Sequence, residues 1–335
     1  MGDPRDVLVI AHRGDWLEGD HPAPQNSLAA VLGALAAGAD GAEVDARLTA
    51  DGAVVLHHDA DVGLPDVQQG CTAPLGTPLC DVAGSELAHL CTLRGLLGAV
   101  EHWADKTRER SRPVVLNIEL KDLPGEPGWD SGHALAREVA NILLARGVGN
   151  RPTVTASMPG APAWPQPPAG PQVVSPLQVI VSSFDPACLE PFRRRAPGLA
   201  TALLLSDEDD WRSRLAGYAD GLQAINPDEA LAQPELFAQA SARHLAVVPW
   251  TVDDPERAVR LASLGAAGLI TNRPRAVTAA LRGGRTPGPL TNSSDCPFGP
   301  PPWAGFEPLP MDAIATRAGV RAHPAPGCDG VRRRP

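Results

Sequence analysis

The sequence predicts an α/β fold: a TIM (β/α)8 barrel with a small insertion after the second strand and an irregular C-terminal tail. Three observations predict it. Short, near-continuous apolar runs alternate with helical patterns, which implies a parallel sheet covered on both faces. Eight such units occupy roughly 280 residues, the usual size of this barrel. Ionisable residues gather at the ends of the runs, where that fold places its active site.

The elements follow in order. "VLVIA" is the first strand, and "NSLAAVLGALAAG" is a helix with Asn26 or Ser27 as its cap. "AEVDARL" is the second strand, and "AVVLHH" is an extra one beyond the eight. "ELAHLCTLRGLLGAVEHW" reads as one helix. "PVVLNIEL" is the third strand and "GHALAREVANILLARG" an amphipathic helix that stops at Gly147. "LQVIVSSF" is the fourth strand, before a helix opening on a proline, "PACLEPFRRR". "LATALLL", "GLQAIN", "LAVVPWTV" and "GLITN" complete the eight. The helices "DDWRSRLAGYA", "PELFAQASARH", "PERAVRLASLG" and "PRAVTAALRGG" follow them in turn. Residues 1–285 are the predicted barrel. The Pro-rich stretch at 157–176 reads as a surface insertion, and 286–335 as a Pro/Gly-rich tail. A doubly wound open sheet is the competing architecture. No GxGxxG follows the first strand, which counts against a dinucleotide-binding version.

Bulk properties narrow the function. A chain of 335 residues, 43% of them hydrophobic, can bury a full core. A net charge of −10 argues against a nucleic-acid partner. No apolar run reaches membrane-span length, and no basic, apolar leader pattern opens the chain. The expected location is cytoplasmic, or secreted if a leader has been removed. Six cysteines in this length are not a disulfide scaffold. Cys71 and Cys80 bracket a loop, and either a bridge or two free thiols is compatible with that spacing. The sequence sets no oligomeric state.

Strand side chains alternate, so Glu43 and Asp45 share a face, as do Glu119 and Lys121. Three carboxylates converging in a barrel mouth repel one another unless a cation sits among them. With oxygen ligands, Mg²⁺ or Ca²⁺ suits the set better than zinc. The competing reading is metal-free pairing of these acids with Arg13, Arg47 and Lys121. His12 and His58 are candidates for an acid–base pair, because histidine titrates near neutrality. His57 and His58 point to opposite faces, and alternation alone does not say which serves the site.

The motifs "AHRG", "PQNS", "GAEVDARLTADGAVVLHHD", "IELK", "SSFDP", "WTVDD" and "GLITNRP" occur in this order between Val7 and Pro274. Together they resemble those of the glycerophosphodiester phosphodiesterases. The resemblance implies a TIM barrel, one divalent metal ion and a small glycerophosphodiester substrate. It implies His12 and His58 as the acid–base pair, and Glu43, Asp45 and Glu119 as metal ligands. Arg13 and Lys121 would contact the phosphate, and Phe184 and Trp250 would line the pocket for the alcohol. Two positions depart from the family pattern. Gln25 stands where an acid is usual, which implies altered metal affinity. Asn272 stands where Asp is usual. A lipid substrate, as in a lysophospholipase D or a sphingomyelinase D-like lyase, is the nearest alternative. A non-catalytic phosphodiester-binding barrel is an alternative of another class.

Overall fold

The structure is a computed structural model that describes residues 4–18, 23–107, 113–148 and 177–283. The Pro-rich stretch and the predicted tail lie outside these residues. Eight parallel strands form the barrel: β1 Leu8–His12, β2 Gly41–Leu48, β4 Val114–Leu120, β5 Leu177–Ser183, β6 Ala200–Leu205, β7 Ala224–Pro227, β8 Ala246–Val247 and β9 Gly268–Thr271. The extra strand β3, Val54–Leu56, pairs antiparallel with the end of β2. The pairing order is β8-β7-β6-β5-β4-β2-β1-β9. Backbone bonds from Ala267 N–H to the Val247 carbonyl, and from Ile270 N–H to that of Pro249, both 2.9 Å, join the two ends.

Helices alternate with the strands: α1 Leu28–Ala36, α3 Leu93–Lys106, α4 Ala134–Ala145, α5 Pro186–Arg195, α6 Trp211–Tyr218, α7 Pro234–Ala242, α8 Pro255–Leu264 and α9 Pro274–Arg282. Short α2, Leu64–Gln68, belongs to the insertion after β3. Two expectations of the sequence are corrected here. The helix expected from Glu86 starts at Leu93, because the Thr92 hydroxyl accepts from Gly95 N–H and caps it there. The seventh strand is regular only to Val247, because Pro249 has no N–H to donate. The insertion has its own small core of Val62, Cys71, Ala73, Leu79, Val82 and Leu87. Cys71 and Cys80 are free thiols.

Alternation sorts each strand into an outer face, packed against helices, and an inner one. The large outer cluster contains Val9, Val44, Ile118, Val181, Leu203 and Ile225. The inner cluster is smaller: Ile10, Val115, Ile180, Ala202, Ala224, Ala246, Val248 and Ile270. These inner residues plug the barrel below its C-terminal mouth. Further along the same faces the sequence turns polar, at His12, Glu43, Asn117, Glu119, Ser182, Asn226 and Asn272. The apolar plug thus puts the polar ring on a dry floor.

Gly41 begins β2 where β1 and β4 close in on both sides. A Cβ there would lie 1.9 Å from the Val115 carbonyl oxygen. Backbone cannot give way as a flexible side chain can. Gly41→Ala is therefore expected to cost at least ~3 kcal/mol, measured by urea unfolding.

Candidate active site

Every predicted site residue lies at the C-terminal mouth. β1 ends on His12, and the chain then reverses sharply. Arg13 and Gly14 both take positive φ, at 59° and 88°. A side chain at Gly14 would collide with the Ala30 backbone at 2.5 Å, so glycine lets α1 approach the end of β1. Trp16 fixes the turn by donating its indole N–H to the His12 carbonyl at 3.1 Å. Ser27 caps α1 by accepting from Ala30 N–H. That leaves Asn26, also at positive φ, free to face the site.

Glu43, Asp45 and Glu119 are buried together, each offering an oxygen within 4.8 Å of the others. Asp45 is the most heavily held. Asn26 donates its amide to Asp45 Oδ2 at 2.8 Å and accepts from Asp45 N–H at 3.0 Å. Arg13 Nε lies 3.1 Å from Oδ2, and Lys121 Nζ 3.1 Å from Oδ1. Lys121 also reaches Glu119 at 2.7 Å. Burial would raise the Asp45 pKa, but Lys121, Arg13 and the Asn26 bond outweigh it and hold the group at about 2. Burial pushes Glu119 up to about 7 against the pull of Lys121. Burial, with Asp45 and Glu119 adding to it, drives Glu43 well above the usual carboxylate range.

The expected metal-free pairing is therefore partly present, through Arg13 and Lys121. Arg47, the third cation of that reading, is elsewhere. It donates to the His58 carbonyl at 2.9 and 2.7 Å and pairs with Glu126 at 3.0 Å. With all three carboxylates ionised, Arg13 and Lys121 would leave one negative charge uncompensated. Glu43 Oε1 is buried with no hydrogen-bond partner. A dry, all-oxygen cluster with an unpartnered carboxylate oxygen fits a hard divalent cation such as Mg²⁺ or Ca²⁺.

The two histidines differ. His12 lies 3.8 Å from Glu43 through Nε2 and bonds Asn272 Oδ1 through Nδ1 at 2.7 Å. Burial, then Arg13, lowers its pKa to about 4, so the ring is neutral at pH 7. His58 pairs Nδ1 with Asp59 at 2.8 Å. Burial, then Lys121, lowers its pKa, and Asp45 and Asp59 pull the other way. His57 turns into the insertion, where Nε2 meets the buried Asp66 at 2.9 Å. That carboxylate also accepts from Gly63 N–H at 2.7 Å. Of the two adjacent histidines, the insertion thus holds His57.

Phe184 and Trp250 meet edge to face at the rim, with centroids 5.6 Å apart. The Trp250 indole donates to the Asn226 carbonyl at 2.9 Å. Beyond Phe184 a groove of about 560 Å³ opens between Pro124, Glu190, Arg193, Arg214 and Tyr218.

Residues 12–276 match the model of the glycerophosphoryl diester phosphodiesterase family. The chain belongs to this family. It is a phosphoric diester hydrolase of the glycerophosphodiester phosphodiesterase type. A glycerophosphodiester phosphodiesterase of Caldanaerobacter subterraneus subsp. tengcongensis is 26% identical over 280 residues, covering 83% of this chain and 99% of its own. A crystal structure of a glycerophosphodiester phosphodiesterase from Parabacteroides distasonis superposes with a TM-score of 0.58 at 20% identity, over 83% of this chain and 97% of its own. An Oleispira antarctica phosphodiesterase, solved with the product sn-glycerol-3-phosphate, gives 0.56 at 20% identity, over 82% and 96%. These two likenesses bear on the fold, and both are to the barrel expected from the sequence.

Within this member of the family, sequence reasoning missed the service of Asn26 to Asp45. Asn26 sits inside the "PQNS" motif, and the one sequence signal was that its neighbour Ser27 could cap α1 in its place. It also missed Asp253, which holds Asn272. Gln25 accepts from Arg13 Nη1 at 2.8 Å, at the edge of the acidic cluster.

Proposed function

We propose that the protein hydrolyses glycerophosphodiesters to sn-glycerol 3-phosphate and an alcohol in a metal-dependent reaction run by His12 and His58. The observation that carries this reading is the convergence, at one strand-end cluster, of two histidines, two cations and the buried trio Glu43, Asp45 and Glu119. The three carboxylates are the proposed ligands of one divalent ion. When bound, that ion supplies positive charge that offsets the charge developing on the phosphoryl oxygens. Arg13 and Lys121 stand beside it to meet the phosphate. Phe184 and Trp250 present an apolar wall to the alcohol carbons.

Neutral His12 is suited to accept the proton of the substrate's glycerol 2-hydroxyl through Nε2. That oxygen attacks phosphorus, the bond to the alcohol breaks, and His58 protonates the leaving alkoxide. Asp59, on Nδ1 of His58, favours the charged ring that this donation needs. The product of this half is a cyclic phosphate. In the second half His58 takes a proton from water, the ring opens, and His12 returns its proton to the 2-oxygen. Each histidine ends as it began.

A second reading, a lysophospholipid as substrate, is favoured by one observation. Leu64, Val67 and Leu75 of the insertion are exposed, and the insertion follows directly on the strand that delivers His58. One assay tests both: release of glycerol 3-phosphate from glycerophosphocholine, beside choline release from lysophosphatidylcholine, with Mg²⁺, with Ca²⁺ and with EDTA. Metal-dependent turnover of the first is the expected result. Turnover of the second alone would move the assignment to a lipid phosphodiesterase. No turnover of either would sink the proposal.

A further inference from the structure

The Asn272 side chain lies between His12 and Asp253 and bonds both. Its Nδ2 is 2.9 Å from Asp253 Oδ2, and its Oδ1 is 2.7 Å from His12 Nδ1. Asp253 is itself held. Its Oδ1 accepts from the Asn272 backbone N–H at 2.7 Å and from the Thr271 hydroxyl at 3.1 Å. A carboxylate only accepts, so the Asn272 amide must aim its NH₂ at Asp253. Its oxygen is then left for His12, and an amide oxygen accepts only a ring N–H. The proton on the His12 ring must sit on Nδ1.

We infer that Asp253 and Asn272 act as a two-residue lock that fixes His12 in its Nδ1–H tautomer, leaving Nε2 as the base in the site. Both are positioning residues, acting through His12 and touching no substrate. The inference rests on the role proposed for His12. It also gives a reason for Asn at position 272. With aspartate there, two carboxylates would face each other at 2.9 Å unless Asp253 also changed.

The lock makes a deterministic prediction about exchange. In Asp253→Asn, the new amide oxygen still accepts from the Asn272 backbone and Thr271, so its NH₂ faces Asn272. Asn272 must then turn its own oxygen toward residue 253 and its NH₂ toward His12. Nδ1 becomes an acceptor, the ring proton moves to Nε2, and the base is blocked. In the exchange variant Asp253→Asn/Asn272→Asp, the amide at 253 donates to the carboxylate at 272. That carboxylate accepts from Nδ1–H, and the original tautomer returns.

The test is ¹⁵N NMR of labelled histidine in metal-free protein at neutral pH, with steady-state kinetics of the loaded enzyme. Wild type is expected to show His12 protonated on Nδ1. Asp253→Asn should move the proton to Nε2 and lower kcat at least ~10²-fold, with KM within about twofold. The exchange variant should restore the tautomer and bring kcat to within about fivefold of wild type. A merely structural pair predicts no such rescue. Wild-type His12 protonated on Nε2, or an unchanged tautomer and kcat in Asp253→Asn, would overturn the lock. If His12→Ala kept full turnover, the catalytic reading would fail separately, and the tautomer in metal-free protein would still decide the lock.

Discussion

His12→Ala is expected to lower turnover of glycerophosphocholine at least ~10³-fold, at the strong end of what a positioned base contributes. The fold should survive, because His12 is only partly buried and its ring bonds the separately anchored Asn272. Thermal unfolding of the variant checks this. His58→Ala should behave differently, and the leaving group reveals how. An alkoxide needs a proton to depart, so loss of His58 is costly with the choline ester. A nitrophenolate leaves without one. With the glycerophosphoryl ester of p-nitrophenol, His58→Ala should release nitrophenol at close to the wild-type rate. It should then stall, because the second half needs His58 as a base. ³¹P NMR should show the cyclic phosphate accumulating. His12→Ala should be inert on both esters. Equal defects of the two variants on the nitrophenyl ester would contradict this division of labour.

The barrel was legible because its signal is local and repeated. Each strand declares itself by a run of Val, Leu, Ile and Ala, and eight repeats leave few closed architectures. The acidic cluster was legible for a related reason: period two puts Glu43 beside Asp45 on one face. What was not legible depends on contacts between distant segments. Alternation separates His57 from His58 but cannot say which faces inward; Asp66, nine residues on from His57, decides. Asn26 looked like a helix cap, and only a positive φ turns it toward Asp45. Asp253 and Asn272 are nineteen residues apart and meet only when β9 lies against the segment after β8. Pro249 shortens a strand whose apolar run continues past it.

Removing divalent cations is expected to abolish turnover and to make stability depend on pH in a particular direction. Glu43 and Glu119 bind a proton more tightly in the folded protein than the ordinary glutamate value of 4.5. The stability this contributes is fully present below about pH 4.5 and is lost as pH rises through the folded values, about 7 for Glu119. For Glu119 the loss is on the order of 3 kcal/mol. Asp45, held at about 2 against an ordinary 3.8, contributes the opposite way, but its contribution is constant above about pH 5. The melting temperature of chelated protein should therefore fall between pH 5 and pH 8. A divalent ion should reverse the fall. At a hundredfold excess over its Kd it adds about 2.7 kcal/mol, a rise of roughly 5–10 °C for a domain of this size, with little effect at pH 5, where protons compete. Glu43→Gln separates this from simple ion pairing. If the trio is a metal site, the substitution removes one ligand oxygen, so the variant should lose most of the rise in melting temperature that Mg²⁺ or Ca²⁺ gives wild type at pH 8. If the acids exist only to pair with Arg13 and Lys121, the cations should raise the melting temperature of neither protein. The two readings differ in whether the cation stabilises wild type, so a single melting series at pH 8 with and without it decides between them.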